Sequence, residues 1–127
     1  MLNGRDWYRM EGASAQTLDG LRAAAPACLP ESYVQLLSVS DGGEGPLPVR
    51  PFNLCLDPTI EVIAELTGAT YEGFLIFGGD GGGEYLAFDM REGAPWPVVT
   101  IDMVAGPSSA EVVASDFDKF IDLIGVE

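Results

Sequence analysis

The sequence predicts an α+β fold in which a central antiparallel or mixed sheet of about four to six strands carries packed helices. Two apolar runs, 74–77 and 85–89, flank a loop that is almost all glycine, and this pattern predicts a β-hairpin. Other segments repeat apolar residues at helical spacing and are separated by glycine and proline. The length of 127 residues suits a single domain, 1–127, that buries a hydrophobic core.

The hairpin is predicted to lie at the centre of the sheet. Residues 74–77 are apolar without interruption, so both faces of this strand should be covered, whereas 85–89 alternates less cleanly and ends on the charge of Asp89. The loop from Gly78 to Gly83 contains five glycines, which reach positive φ without a Cβ clash. Because such a loop is costly to order, it is one place where a ligand could bind.

A well-defined helix is predicted to begin at Pro30, because proline suits the first position of a helix. Leu29 precedes it, and Tyr33 lies on its apolar face. Gly42 and Gly43 then supply a left-handed C-terminal cap. Three further helices are expected from Thr17 to Pro26, from Pro58 behind an Asp57 cap to Gly68, and from Ser115 to Gly125.

Two more strands are predicted, one on each side of the hairpin in sequence. Residues 52–56 alternate apolar and polar side chains, and Pro51 places this strand near an edge because proline cannot donate a ladder hydrogen bond. Residues 98–101 are rich in β-branched side chains. Residues 44–51 are expected to form a loop. Residues 1–13 show no periodicity, and their large side chains either fold back onto the core or form a small interface.

Acidic residues dominate the charge of the chain. Twenty Asp and Glu residues oppose six Lys and Arg, which without any histidine gives a formal net charge of −14. This charge disfavours nucleic acid, whose phosphates need clustered Lys and Arg, and it disfavours anionic lipid. The sequence therefore predicts no nucleic-acid and no membrane partner. A basic protein partner would suit the charge better, while the alternative is that the charge only maintains solubility.

The two cysteines predict neither a disulfide scaffold nor a zinc site. Cys28 and Cys55 are too few and too widely spaced for either, and both are expected to be buried, reduced thiols. The N-terminus lacks an apolar signal core, and no stretch approaches the roughly 20 apolar residues of a membrane span. A cytoplasmic protein is therefore expected.

The sequence lacks the residue types of the common catalytic centres. Without histidine, Ser-His and Cys-His pairs are impossible, and nothing in the sequence holds a serine against Lys119, the only lysine. The glycine loop fits neither GxGxxG nor a P-loop. Asp80, Glu84 and Asp89 could be imagined as calcium ligands, but the EF-hand spacing is absent and solvated turn residues are the simpler interpretation. We therefore predict no catalytic residue, no metal and no cofactor, and expect a protein that is not an enzyme.

Three spaced blocks carry a family resemblance. The first runs from Leu29-Pro30 through Tyr33 to Asp41-Gly42-Gly43, the second is the glycine-rich hairpin 77–89 that ends in Phe88-Asp89, and the third is 115–121. In this order and spacing they resemble the Smi/Knr family, or SUKH superfamily, whose members include a fungal cell-wall-synthesis regulator and many bacterial toxin-immunity proteins. Asp41 stands where the family often has Asn.

The resemblance implies a small α+β domain that acts by binding proteins and not by turning over a substrate. The first hypothesis is an immunity protein that neutralises a toxin, since an acidic surface can occupy the site that a basic nuclease keeps for phosphate. The alternative is a regulatory or scaffolding module for an endogenous partner, and the third is a small enzyme or metal-binding domain. Loop position and charge select Asp41, Glu44, Asp80 and Glu84 as candidate partner contacts. Trp96, between two prolines, is either an interface anchor or a core residue.

Overall fold

A single antiparallel sheet of seven strands organises the protein, whose computed structural model describes residues 1–127. Every strand pairs with the next one in sequence, so the spatial order of the strands equals their order along the chain. The strands are β1 (Tyr8–Arg9), β2 (Gly43–Pro46), β3 (Asn53–Leu56), β4 (Phe74–Gly79), β5 (Glu84–Asp89), β6 (Val98–Asp102) and β7 (Glu111–Ala114). The helices are α1 (Ala15–Ala24), α2 (Glu31–Val39), α3 (Thr59–Thr67) and α4 (Phe117–Ile121), with a 3₁₀ turn at Gly106–Ser109.

The α+β class is confirmed, but seven strands exceed the predicted four to six. The sequence prediction misses β1, β2 and β7. β1 has only two residues, and β2 reads Gly-Glu-Gly-Pro, a composition typical of a loop, so the first half of the predicted loop 44–51 is in fact a strand. These short segments become strands because longer neighbours offer them hydrogen-bond partners, which no local pattern reveals.

The predicted hairpin and its central position are confirmed. β4 pairs with β5 from Phe74 opposite Asp89 to Gly79 opposite Tyr85, with a register shift between Ile76 and Gly78. Three strands lie on each side of β4. Its apolar run is buried on both faces, as the unbroken pattern predicts.

The main core lies between the sheet and the helices. Tyr33 of α2 is fully buried, and its ring meets the rings of Phe77, Phe88 and Phe117 edge-on, with centroids 5.7, 5.1 and 5.2 Å away. Such edge-to-face contacts between rings are favourable beyond the area they bury. The core therefore joins α2, the hairpin and α4, the same three parts of the chain that carry the family resemblance.

The opposite face of the sheet has no helix on it. Five residues of the central strands form a second, smaller buried cluster there, and none of them belongs to a helix. Tyr71, Tyr85 and Ala110 pack over this cluster. All buried apolar residues of the four helices belong to the main core instead. One face of the sheet is therefore covered by helices and the other only in part, by side chains and loops.

The N-terminal segment folds back onto the main core. This is the first of the two possibilities that the sequence leaves open. The ring of Trp7 lies on the backbone of β2, where a Cβ on Gly43 would come within 2.7 Å of it. Its Nε1 donates a hydrogen bond of 3.1 Å to the Oγ of Ser40, which is fully buried. The next residue, Tyr8, points to the other face and is 72% exposed.

Several predicted helix ends lie elsewhere in the structure. Pro30 and Pro58 are N-cap residues and not first helical residues. The C-cap of α2 is Ser40, and Gly42 and Gly43, with φ of +103° and +122°, lead from it into β2. Asp116, not Ser115, caps α4 by accepting the backbone N–H of Lys119 at 2.8 Å, and the helix ends at Ile121, four residues before Gly125.

Two further expectations are corrected by the structure. β3 is an interior strand between β2 and β4, because Pro51 lies just before it and removes no ladder hydrogen bond. The two thiols are not both buried, since Cys28 is exposed and Cys55 is partly exposed. Cys55 follows the buried Leu54 and precedes the buried Leu56, so strand alternation turns it toward the face that lacks helices.

Candidate functional site

A row of paired residues crosses the face that lacks helices. Tyr8 pairs with Glu44, Glu44 with Cys55, Cys55 with Gly79, and Gly79 with Tyr85. Directly paired residues of antiparallel strands point to the same side of a sheet, so these five form one line across β1 to β5. We call this row the open face. It presents aromatic, acidic and thiol side chains over a stretch that no helix covers.

Two predicted partner contacts, Glu44 and Asp80, lie beside Asn53 at the margin of the open face. The carboxylate of Asp80 accepts the backbone N–H groups of Gly82 and Glu84 at 2.8 and 3.1 Å, so it is held within its own turn. The Nδ2 of Asn53 donates to the Oε2 of Glu44 at 3.2 Å and to the backbone oxygen of Asp80 at 3.1 Å. Burial raises the pKa of the neighbouring Cys55 thiol, and the charges of Glu44 and Asp80 raise it further. The Cys55 thiol therefore lies near two negative charges.

Two other predicted contacts, Asp41 and Glu84, lie in different settings. The Oδ1 of Asp41 accepts the backbone N–H and the hydroxyl of Thr59 at 2.6 and 2.7 Å, so this carboxylate caps α3. Glu84 forms an ion pair of 3.2 Å with Arg50, and its side chain is only 20% exposed. Both carboxylates already have partners inside the protein, which leaves less of their charge for another molecule.

Trp96 is a core residue and not an exposed anchor, since only 4% of it is accessible. Its ring packs against Phe88 with a centroid distance of 6.0 Å. The small accessible part lines a cavity of about 390 Å³ between the start of α2 and the start of α4. Cys28 and Asp118 line the same cavity.

Four more residues of the family motif lie in the β4–β5 hairpin or at the margin of the main core. A Cβ on Gly78 would lie 2.6 Å from the backbone oxygen of Cys55, so β3 and β4 can approach here only because residue 78 is glycine. Leu29 packs at the margin of the main core. Gly83 lies just before β5, and a Cβ added to it would meet no atom within 4 Å. Hydrogen bonds from Arg91 lower the pKa of Asp89.

The sequence analysis misses a groove between α3 and the β4–β5 hairpin. The groove has a volume of about 370 Å³ and brings Asp57, Glu61 and Glu65 beside Ile76 and Tyr85. We call it the acidic groove. No Lys or Arg lines it. Spacing of four residues between the carboxylates places them on one side of a helix, and this is the one local signal that could have indicated the groove.

Asp57 is the most perturbed carboxyl group of the acidic groove. Burial raises its pKa to about 6, and the charges of Glu61 and Glu65 add to this shift. No hydrogen bond or cation of the protein offsets the shift. The carboxylate of Glu65, by contrast, is fixed by the backbone N–H and the hydroxyl of Thr70, the latter at 2.7 Å. The groove therefore holds negative charge that the protein itself does not neutralise.

Two general features bear on the kinds of site that the protein offers. No three side chains of His, Cys, Asp or Glu are grouped so that they could hold a metal ion. None of the helices has the length and the apolar character needed to cross a lipid bilayer.

The fold is a small α+β domain in which helices cover one face of the sheet and side chains and loops cover part of the other. The chain belongs to the SMI1 / KNR4 family (SUKH-1), whose family model matches residues 12–123. The resemblance seen in the three sequence blocks is thereby confirmed. Membership indicates a binding domain of the immunity or regulatory type. None of the curated proteins matches the chain.

Proposed function

We propose that this protein is a non-catalytic immunity protein that binds a toxin with a basic surface and blocks it. The observation that carries the proposal is the formal net charge of −14 in a member of a family of binding domains. Opposite charge on the partner would steer the encounter and select against acidic proteins. Glu44 on the open face and the carboxylates of the acidic groove offer such a partner negative charge at two places.

The test uses the toxin encoded by an adjacent gene, made safe by an inactivating substitution for the binding measurements. We expect a stoichiometric complex whose affinity falls more than about tenfold between 0.1 M and 1 M salt, because the Debye length shortens from about 10 Å to about 3 Å. The active toxin should lose its activity when the complex forms. Binding that is independent of salt would remove the electrostatic part of the proposal, and absence of binding would contradict the immunity function.

The alternative is a regulatory module that binds a basic protein of the same cell. Family membership supports both functions equally, because the family indicates immunity-type and regulatory domains. Genomic position separates them: a toxin gene directly beside this one favours immunity, and a solitary gene favours regulation. In both cases the protein acts by contact, and we expect no turnover of small molecules by the purified chain.

A further inference from the structure

The acidic groove exists because the pairing of β3 and β4 stops early. The two strands pair only at Cys55 opposite Gly79 and at Leu56 opposite Gly78. Beyond this point β4 continues to Phe74 without a strand on that side, and α3 lies against it instead. A helix cannot fill the space of a strand evenly, and the gap between α3 and Ile76 remains open to solvent as the groove.

The groove opens at the Tyr85 end of the open face. Tyr85 belongs to both, because it lines the groove and pairs with Gly79 in the row that leads to Tyr8. Tyr71 packs edge-on against Tyr85 with a centroid distance of 6.1 Å and holds this ring in place. Residues from α3 to β1 therefore form one surface, with a concave pocket at one end and the exposed Tyr8 at the other.

The negative charge of this surface favours a cationic partner. Asp57, Glu61 and Glu65 line the groove and no basic residue does. Glu44 carries a further negative charge along the row. Among cationic side chains, arginine fits best, because its planar guanidinium can stack on an aromatic ring and bond a carboxylate with two N–H groups at once. Lysine offers only a point charge to the same site.

We propose that the acidic groove and the open face are the docking site for the basic partner, with one arginine side chain of that protein seated in the groove against Tyr85. The inference rests on the proposed function for the nature of the partner. It adds where the partner binds and which side chain of the partner is the anchor. The cavity beside Trp96 is the competing site, because it is also lined by carboxylates.

The first test compares two double variants that remove the same charge. Asp57→Asn with Glu61→Gln neutralises the groove, and Asp19→Asn with Asp118→Asn neutralises α1 and α4 on the helix-covered side, where Asp118 lines the competing cavity. Affinity for the inactivated toxin is measured by titration calorimetry. We expect the groove variant to bind at least about tenfold more weakly and the control variant less than about threefold more weakly, since only the first pair contacts the partner.

Each outcome of this test has a distinct meaning. A larger loss of affinity in the control variant would place docking at the cavity beside Trp96. Equal losses of affinity would mean that only the net charge of the protein matters. Both results would overturn the inference. A toxin that binds normally to both variants would overturn it as well and leave the proposed function intact. A toxin that does not bind the unmodified protein would instead contradict the proposed function.

The second test needs no toxin and examines the groove directly. The peptide acetyl-Gly-Arg-Gly-amide is titrated into the protein and followed by NMR, with the citrulline peptide as the neutral isostere. We expect shifts concentrated at Ile76, Ala64 and Tyr85 that disappear in the Asp57→Asn, Glu61→Gln variant and with citrulline. Shifts spread over the acidic surface, or centred on Trp96, would overturn the docking site. Equal binding of the lysine peptide would overturn the choice of arginine.

Discussion

The two faces of the sheet differ in how completely they are covered. On the helix-covered face, alternate residues of β5 such as Leu86 and Phe88 are fully buried in the main core. On the other face, Tyr85 is partly exposed, and the row that it begins ends at the exposed Tyr8. Because side chains alternate along a strand, Leu86 and Phe88 enter the main core, whereas Tyr85 and the buried Ala87 lie on the other face. We therefore expect that substitutions on the two faces can change stability and the proposed binding separately.

The largest effect is expected from a substitution in the core beneath the helix-covered face. Phe77→Ala removes a fully buried ring that contacts Tyr33, Phe88, Phe117 and Phe120. We expect the free energy of unfolding to fall by about 3–5 kcal/mol, as for other buried phenylalanines. Tyr8→Ala, at the exposed end of the open face, should change it by less than about 0.5 kcal/mol. Urea unfolding of both variants measures the difference, and comparable losses would contradict the division between the faces.

The covered face was the more predictable of the two from sequence. Its parts are local: the run 74–77 supplies Leu75 and Phe77, and the helical stripe of α4 and the segment from Pro30 to Gly43 each carry their own pattern. The strands β1, β2 and β7 do not, because a two-residue strand or a Gly-Glu-Gly-Pro strand exists only through its neighbours. Sequence reasoning therefore found the middle of the sheet and missed much of its margin.

The sequence predicts only those parts of the candidate site that lie within a single segment of the chain. Charge and loop position indicate Glu44 and Asp80, but not that Asn53 bonds both the carboxylate of Glu44 and the backbone oxygen of Asp80. The acidic groove joins 57–65 with 76–85, so it arises from tertiary packing alone. Trp96 was ambiguous for the same reason, because whether a loop residue turns inward depends on distant contacts.

A smaller effect is expected at the centre of the covered face. The hydroxyl of Tyr33 is buried and has no hydrogen-bond partner, and burial, followed by the charges of Asp57 and Asp41, raises its pKa. A buried polar group without a partner costs about 1–3 kcal/mol. Tyr33→Phe keeps the ring and removes that cost, so we expect a gain of about 1 kcal/mol in thermal or urea unfolding. A loss of similar size would mean that the hydroxyl is hydrogen-bonded in solution.

The smallest expected effect concerns stability at the acidic groove, and its sign depends on pH. Asp57 has a folded-state pKa of about 6 against an ordinary value of 3.8, so the folded protein binds the proton more tightly than the unfolded chain does. The contribution of this group to stability is therefore complete below about pH 4 and is lost as the pH rises through 6. Because the side chain is only partly buried, solvent screening reduces the loss to about 1 kcal/mol or less.

Asp57→Asn removes the ionisation and should make the free protein more stable above pH 7 while leaving it unchanged at pH 4. The difference in unfolding free energy between the variant and the unmodified protein, followed from pH 4 to pH 8, isolates this group from the other carboxylates. Asp19→Asn, an exposed carboxylate on α1, is the control for net charge. If the free energy of unfolding rose equally in both variants, general charge repulsion would explain the effect. A gain specific to Asp57, together with weaker binding of the arginine peptide, would mean that the groove carries an unfavourable charge that a partner relieves.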